Sequence, residues 1–152
     1  MTKKEELEQF AYENEISINE VYFQNENFEG LYIDNNVFIN EATKPYKYNI
    51  ILAHELGHHE TLKGNALAKT EENALQEMRA NGWAYKKILP IERLIQYKIN
   101  NVEYEDILEE LCISSEDFCK IMDYYKSKYG YDNIKIDDYV VNFYPEFTVR
   151  ED

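Results

Sequence analysis

The stretch His54-Glu55-Leu56-Gly57-His58-His59 holds every histidine of a 152-residue chain. On a helix, residues 54 and 58 rise from one face, about 5–6 Å apart at Cβ. That separation lets two imidazole nitrogens approach one Zn²⁺ at about 2.0–2.1 Å each. Glu55 is turned about a quarter of the way round from His54. It faces a reacting water without itself ligating the metal, so H-E-x-x-H is a reaction geometry as well as a ligand spacing. The bland alternative is a surface helix that carries two histidines and a solvated glutamate by chance. Local context decides between them, because the motif requires a helix.

The context is helical. Thr43-Lys44-Pro45 reads as a helix start, with the proline in the first turn, where its missing N–H is not needed. Tyr46 to Leu62 then runs without a breaker apart from Gly57, and Gly64 is the expected C-terminal cap. Ile50, Ile51 and Ala53 form an apolar stripe ahead of the histidines. Glycine in a helix interior costs about 1 kcal/mol relative to alanine. Gly57 therefore marks either the close approach of another backbone or an ordinary tolerated glycine.

A catalytic zinc takes three protein ligands and keeps one position open. With no distant histidine left, the third ligand is expected to be a carboxylate. Glu77 is the choice, mid-helix in Glu77-Met78-Arg79-Ala80-Asn81-Gly82-Trp83-Ala84. Asn81 falls one turn later on the same face, placed to orient a ligating imidazole or Glu77 itself. Ala80 and Ala84 are small enough for close packing on the histidine helix. Glu71 and Glu72 are rivals, but after Thr70 they suit the first turn of a helix for dipole reasons alone. Glu60 lies too near His58 to turn back onto the same ion.

Composition limits the function. The length suits one domain with a real core. Cys112 and Cys119 lack metal-type spacing and are expected to fill a core. No apolar stretch approaches the roughly 20 residues of a membrane span, and the N-terminus leads into no apolar signal region. A soluble, cytoplasmic protein is expected. The formal net charge is −14, with 14 acidic and 5 basic residues in 101–152 against 16 and 11 in 1–100. Such a chain repels phosphate backbones, which argues against direct nucleic-acid binding. A basic protein partner is compatible with it, but acidic excess most often marks a solvated surface.

Along the chain, Lys4 to Ile16 reads as a short amphipathic helix with Leu7, Phe10 and Ala11 inward. Strands are expected at Val21-Tyr22-Phe23, Gly30-Leu31-Tyr32-Ile33 and Val37-Phe38-Ile39. Asp34-Asn35-Asn36 joins the last two as a β-hairpin. The histidine helix follows at 45–63 and a second long helix at 71–89, ended by Pro90. Residues 91–130 are helical in pieces, and 131–152 are irregular apart from a strand at Tyr139-Val140-Val141. Ile107 to Phe118 has a helix-turn-helix look, with Ser114 or Ser115 as a cap. Its second helix opens on Glu116 and Asp117, where a DNA reader carries Arg, Lys, Asn or Gln. A packing or partner module is the better reading.

Taken together, His54-Glu55-Leu56-Gly57-His58, then Glu77-x-x-Ala80-Asn81-x-Trp83-Ala84, then Ile88-Leu89-Pro90 resemble the ImmA/IrrE family of zinc metallopeptidases. The Gly30–Asn40 hairpin also resembles that family, and the helical stretch to Gly130 resembles its small phage-type members. The resemblance implies an α+β, zincin-like fold: a small antiparallel sheet on the HExxH helix and the glutamate helix, then the helix-turn-helix-like module. It implies a metallopeptidase domain at 1–90, a helical module at 91–130 packed on it, and a tail at 131–152, together one compact unit. It also implies Zn²⁺ held by His54, His58 and Glu77, with Glu55 as catalytic base. The substrate it implies is a protein, a helix-turn-helix transcriptional repressor of a phage or mobile element.

Chemistry by Glu55 on a scissile peptide needs an oxyanion donor besides the metal. The sequence singles out none of its tyrosines, and His59 points away around the helix. The hairpin offers a sheet edge beside the site to which an extended peptide can add as a strand. Tyr32, Phe38 and Asn40 are candidates to line that groove, although such strand residues more often simply pack. An interaction protein that keeps the zinc fold and masks a repressor without cutting it is the competing hypothesis. The intact Glu55 favours the enzyme, since a binding module needs no general base.

Overall fold

The structure is a computed structural model that describes residues 1–25, 27–63 and 72–152. Within them are six helices and six strands. Helix α1 (Lys3–Glu13) starts where the Thr2 side chain accepts from the Glu5 N–H, with Glu5 and Glu6 in the first turn. It buries Leu7 and Ala11 and ends before Glu15, which takes a φ of 57°.

Strands β1 (Ser17–Val21), β2 (Gly30–Ile33) and β3 (Asn36–Asn40) form one sheet in the order β1-β3-β2. The expected hairpin is present. Ile33 pairs with Asn36, and Asp34 and Asn35 between them both have positive φ, 47° and 63°. Two left-handed residues in a two-residue loop make a type I′ turn, which matches strand twist. Two expectations are corrected. The first strand ends at Val21 and does not cover Tyr22 and Phe23. The sheet is mixed and not antiparallel, because β1 runs parallel to the central β3. Residue alternation is the same for either direction, so pattern alone does not fix it. β3 is the most buried strand, with Val37 and Ile39 fully enclosed.

Helix α2 (Pro45–Leu62) lies between this sheet and helix α3 (Asn73–Ile88). It begins at Pro45, as the sequence indicates, and buries Leu52, Ala53, Leu56 and Gly57. The expected cap at Gly64 and the expected start of α3 at 71 lie outside the described residues. α3 buries the small residues Ala80, Gly82 and Ala84 and closes at Leu89, ahead of Pro90. Helices α4 (Ile91–Ile99), α5 (Tyr104–Leu111) and α6 (Ser115–Tyr129) follow. α6 is capped by Ser114, whose Oγ accepts from the Asp117 N–H.

The C-terminal region is not irregular. β4 (Ile134–Ile136), β5 (Tyr139–Asn142) and β6 (Thr148–Glu151) form an antiparallel sheet. Val141 of this sheet and Phe143, just after β5, join Tyr125 in the same core that holds Leu7, Leu52 and Ile88. Phe143 stacks on Tyr125 and Tyr129 at centroid distances of 5.6 and 5.8 Å. The cysteines do not fill the core. Cys112 is half-buried, with its Sγ against the Pro45 carbonyl, and Cys119 is exposed. No described helix is long and apolar enough to cross a membrane.

Candidate metal centre

Helices α2 and α3 approach backbone to backbone, and glycine permits it. A Cβ on Gly57 would stand 2.5 Å from the Ala80 carbonyl oxygen. Close backbone approach is therefore the reason for glycine here. The approach sets α3 against the histidine turn of α2. His54 Nε2 lies 2.7 Å from Glu77 Oε2, and His58 Nε2 lies 3.0 Å from Glu77 Oε1. The two Nε2 atoms are 3.1 Å apart. These three residues form a cluster able to hold a metal ion, with one ligand atom from each within 4.8 Å of the others.

The donor set fits a cation. Asn81 Oδ1 lies 2.7 Å from His54 Nδ1. With that amide oxygen accepting, the ring proton sits on Nδ1, and the Nε2 lone pair faces the cluster. Two imidazole nitrogens and a carboxylate oxygen turned toward one point are mutually acceptor-rich, and a divalent cation satisfies all three. Burial pushes the His58 pKa down, and the neighbouring His54 adds to this, both favouring the neutral ring that binds metal. An N,N,O set suits zinc and other divalent ions of the first transition row.

Glu55 stands beside the cluster and outside it, with Oε1 at 3.9 Å from His54 Nε2. It is 5% exposed, and its Oε2 has no hydrogen-bond partner among the described residues. Burial, with Glu77 and Glu29 adding and His54 opposing, pushes its pKa up to about 7. A carboxylate so placed exchanges protons near neutrality. The strand edge shapes its surroundings. A Cβ on Gly30 would lie 3.0 Å from Ile51 Cγ2 and 3.2 Å from Glu55 Cγ, so β2 rests on α2 at this point.

The rival carboxylates stand apart. Glu72 precedes α3 as its exposed cap residue, Glu60 pairs with Lys63 at 3.0 Å, and Glu71 lies outside the described residues. His59 is buried against the sheet, with Nδ1 2.6 Å from the Tyr32 hydroxyl. Tyr32 is thereby tied to His59, while Asn40 bonds the Phe28 carbonyl and the Ala42 N–H. The strand side of the cleft is lined instead by Phe28, Glu29 and Gly30.

That cleft, about 500 Å³, opens from His54, Glu55 and Glu77 toward Lys47, Tyr85, Asp117 and Lys120. Lys47 Nζ contacts the buried Asp117 Oδ2 at 2.9 Å, tying the first turn of α2 to that of α6. The sequence reading missed these four residues. Tyr85 had a signal, since it falls one turn beyond Asn81 on the same face of α3. Lys47 and Asp117 had none, because 70 residues separate them.

Comparison with known proteins agrees with the geometry. No curated protein matches the chain. Residues 9–136, which contain α2, α3 and the whole His54-His58-Glu77 cluster, match the IrrE N-terminal-like domain family, Peptidase M78, a family of metallopeptidase type. Since that match spans most of the chain, this protein belongs to the IrrE N-terminal-like domain family.

Proposed function

We propose that this protein is a zinc-dependent endopeptidase that cuts a regulatory protein, a helix-turn-helix repressor of a phage or mobile element. The observation that carries the reading is Glu55: a buried carboxylate with one free oxygen, set beside a three-donor cluster at the mouth of an open cleft. His54, His58 and Glu77 would hold the ion, and Asn81 would orient His54. When bound, the ion supplies Lewis acidity toward water and toward the scissile carbonyl.

The chain's own residues supply the proton path. Glu55 accepts a proton from water as the water oxygen bonds to the carbonyl carbon. The same proton then passes from Glu55 to the amine nitrogen as the C–N bond breaks. Burial raises the proton affinity of this carboxylate above that of an exposed glutamate, which supports its role as the base. β2 is an edge strand, and its start at Gly30 touches Glu55, so an extended peptide added to that edge runs past the reacting group.

Glu55→Gln separates this reading from a binding protein that masks its partner. The variant is expected to keep its metal and lose cleavage of a repressor encoded beside it, read as fragments by mass. A variant that still induces the repressed genes at the normal level would favour masking over cutting.

A further inference from the structure

Along the outer side of α3 runs a groove of about 1000 Å³ between this helix and α6. It shares Glu77, Asn81, Tyr85 and Lys120 with the cleft described above, so the two are continuous across the metal cluster. Its floor is apolar and aromatic. Met78, next to Glu77, is 61% exposed. Tyr124 packs over Gly82, where a Cβ would come within 3.2 Å of its ring, and its ring lies 5.8 Å from that of Tyr85.

The groove reverses the charge of the chain. The protein carries 30 acidic and 16 basic residues. The groove presents Lys86, Lys120 and Lys128 against Glu77 and Asp123. Glu77 is directed at the two histidines. Among the described residues Lys120 pairs with the exposed Glu116, at 3.4 Å, and Lys128 lies over the Tyr124 and Tyr129 rings. Lys86 and Lys128 belong to no ion pair among the described residues. An apolar floor edged by lysines on an otherwise acidic surface is complementary to one chemistry.

We propose that the α3–α6 groove docks a segment of the protein substrate that flanks the scissile bond and combines acidic side chains with a bulky apolar one. The apolar side chain seats on Met78, Tyr85 and Tyr124, and the carboxylates meet Lys86, Lys120 and Lys128. The surrounding acidic surface repels segments that carry charge without the apolar anchor. This inference rests on the peptidase reading for the identity of its occupant, but binding is measurable without cleavage.

The test uses the full chain, zinc-loaded and carrying Glu55→Gln, with fluorescein-labelled peptides followed by anisotropy. One peptide alternates Glu with Leu and Phe, a second has Lys for every Glu, and a third has Ser for every apolar residue. A single-stranded oligothymidylate serves as a plain polyanion. The first peptide is expected to bind in a salt-sensitive way, at least about tenfold more tightly than the others. Joint Lys86→Glu and Lys128→Glu substitution, with zinc content unchanged, is expected to weaken it about tenfold. Met78→Ser, at an exposed position, is expected to weaken it as well and carries the test should the double variant fold poorly. Equal binding of the lysine peptide or the oligothymidylate, or binding that survives both sets of substitutions, would overturn the proposal. Docking without any cleavage by the unsubstituted protein would instead sink the peptidase reading and leave the groove assignment standing.

Discussion

Gly57 and Ala80 meet at a distance that leaves no room for a side chain: a Cβ on Gly57 would lie 2.5 Å from the Ala80 carbonyl oxygen and 3.1 Å from its Cα. Backbone cannot yield as a flexible side chain does, so the two helices must separate if position 57 gains a methyl group. Overpacking of this kind costs about 1–3 kcal/mol, or roughly 2–10 °C of melting temperature in a domain of this size. Gly57→Ala is therefore expected to lower the thermal midpoint and, by moving Glu77 away from His58, to weaken metal binding. A scan with and without zinc measures both. An unchanged midpoint with unchanged zinc affinity would contradict the packing.

The choice of carboxylate gives a second prediction. Glu77→Gln is expected to reduce metal affinity strongly and to alter the visible spectrum of the cobalt-substituted protein. Glu72→Gln, at the exposed cap of α3, should leave both as they are. His54→Ala or His58→Ala should each abolish stoichiometric binding, since two remaining ligands hold zinc poorly at a site built for three.

Asn81 meets His54 Nδ1 at 2.7 Å, and the proposed role of that contact is to orient the ring. Removing such a partner typically costs about 10- to 100-fold in metal affinity. Asn81→Ala is expected to fall in that range, whereas Asn81→Asp, which keeps an acceptor oxygen, should retain most of the affinity. Competition with a chromogenic chelator reads the difference. Equal losses in the two variants would argue against orientation of the ring.

Stability at alkaline pH depends on Tyr125. Its hydroxyl donates to the Leu89 carbonyl at 2.7 Å, and burial, with Tyr124, Tyr129 and Glu92 adding, raises its pKa well above the ordinary 10.0. The folded state thus holds the phenolic proton more tightly than the unfolded chain does. That contribution is complete below pH 10 and is lost progressively as pH rises above it, toward the folded-state value. Tyr125→Phe is expected to cost about 1–3 kcal/mol at neutral pH, because the Leu89 carbonyl loses its partner. It should also flatten the decline in stability above pH 10 relative to the unsubstituted protein. Urea titrations at neutral and alkaline pH would reveal both effects.

What was legible in the sequence was local. Pro45 at a helix start, Asp34-Asn35 in a two-residue turn and Pro90 after the end of α3 each act through the backbone of their own residues. The pairing of His54 with His58 follows from helical periodicity alone. Glu77 and Asn81 were legible as candidates because they fall one turn apart on one helix face, with Ala80 and Ala84 small enough for that helix to pack on the histidines. Which atom Asn81 meets was decided only when α3 packed on α2. Long-range choices were not legible. Alternating residues in β1 suit parallel and antiparallel pairing alike, and the chain connection made β1 parallel to β3. The C-terminal strands are short and flanked by polar residues, and their order comes from packing Val141 and Phe143 against Tyr125. The Lys47–Asp117 pair and the lysine-edged groove join residues far apart in sequence, and only the docking of α6 beside α2 and α3 brings them together. Helical spacing alone put His54 and His58 on one face, whereas the cleft they border was decided by helices meeting, because a contact between distant residues leaves no period in the chain.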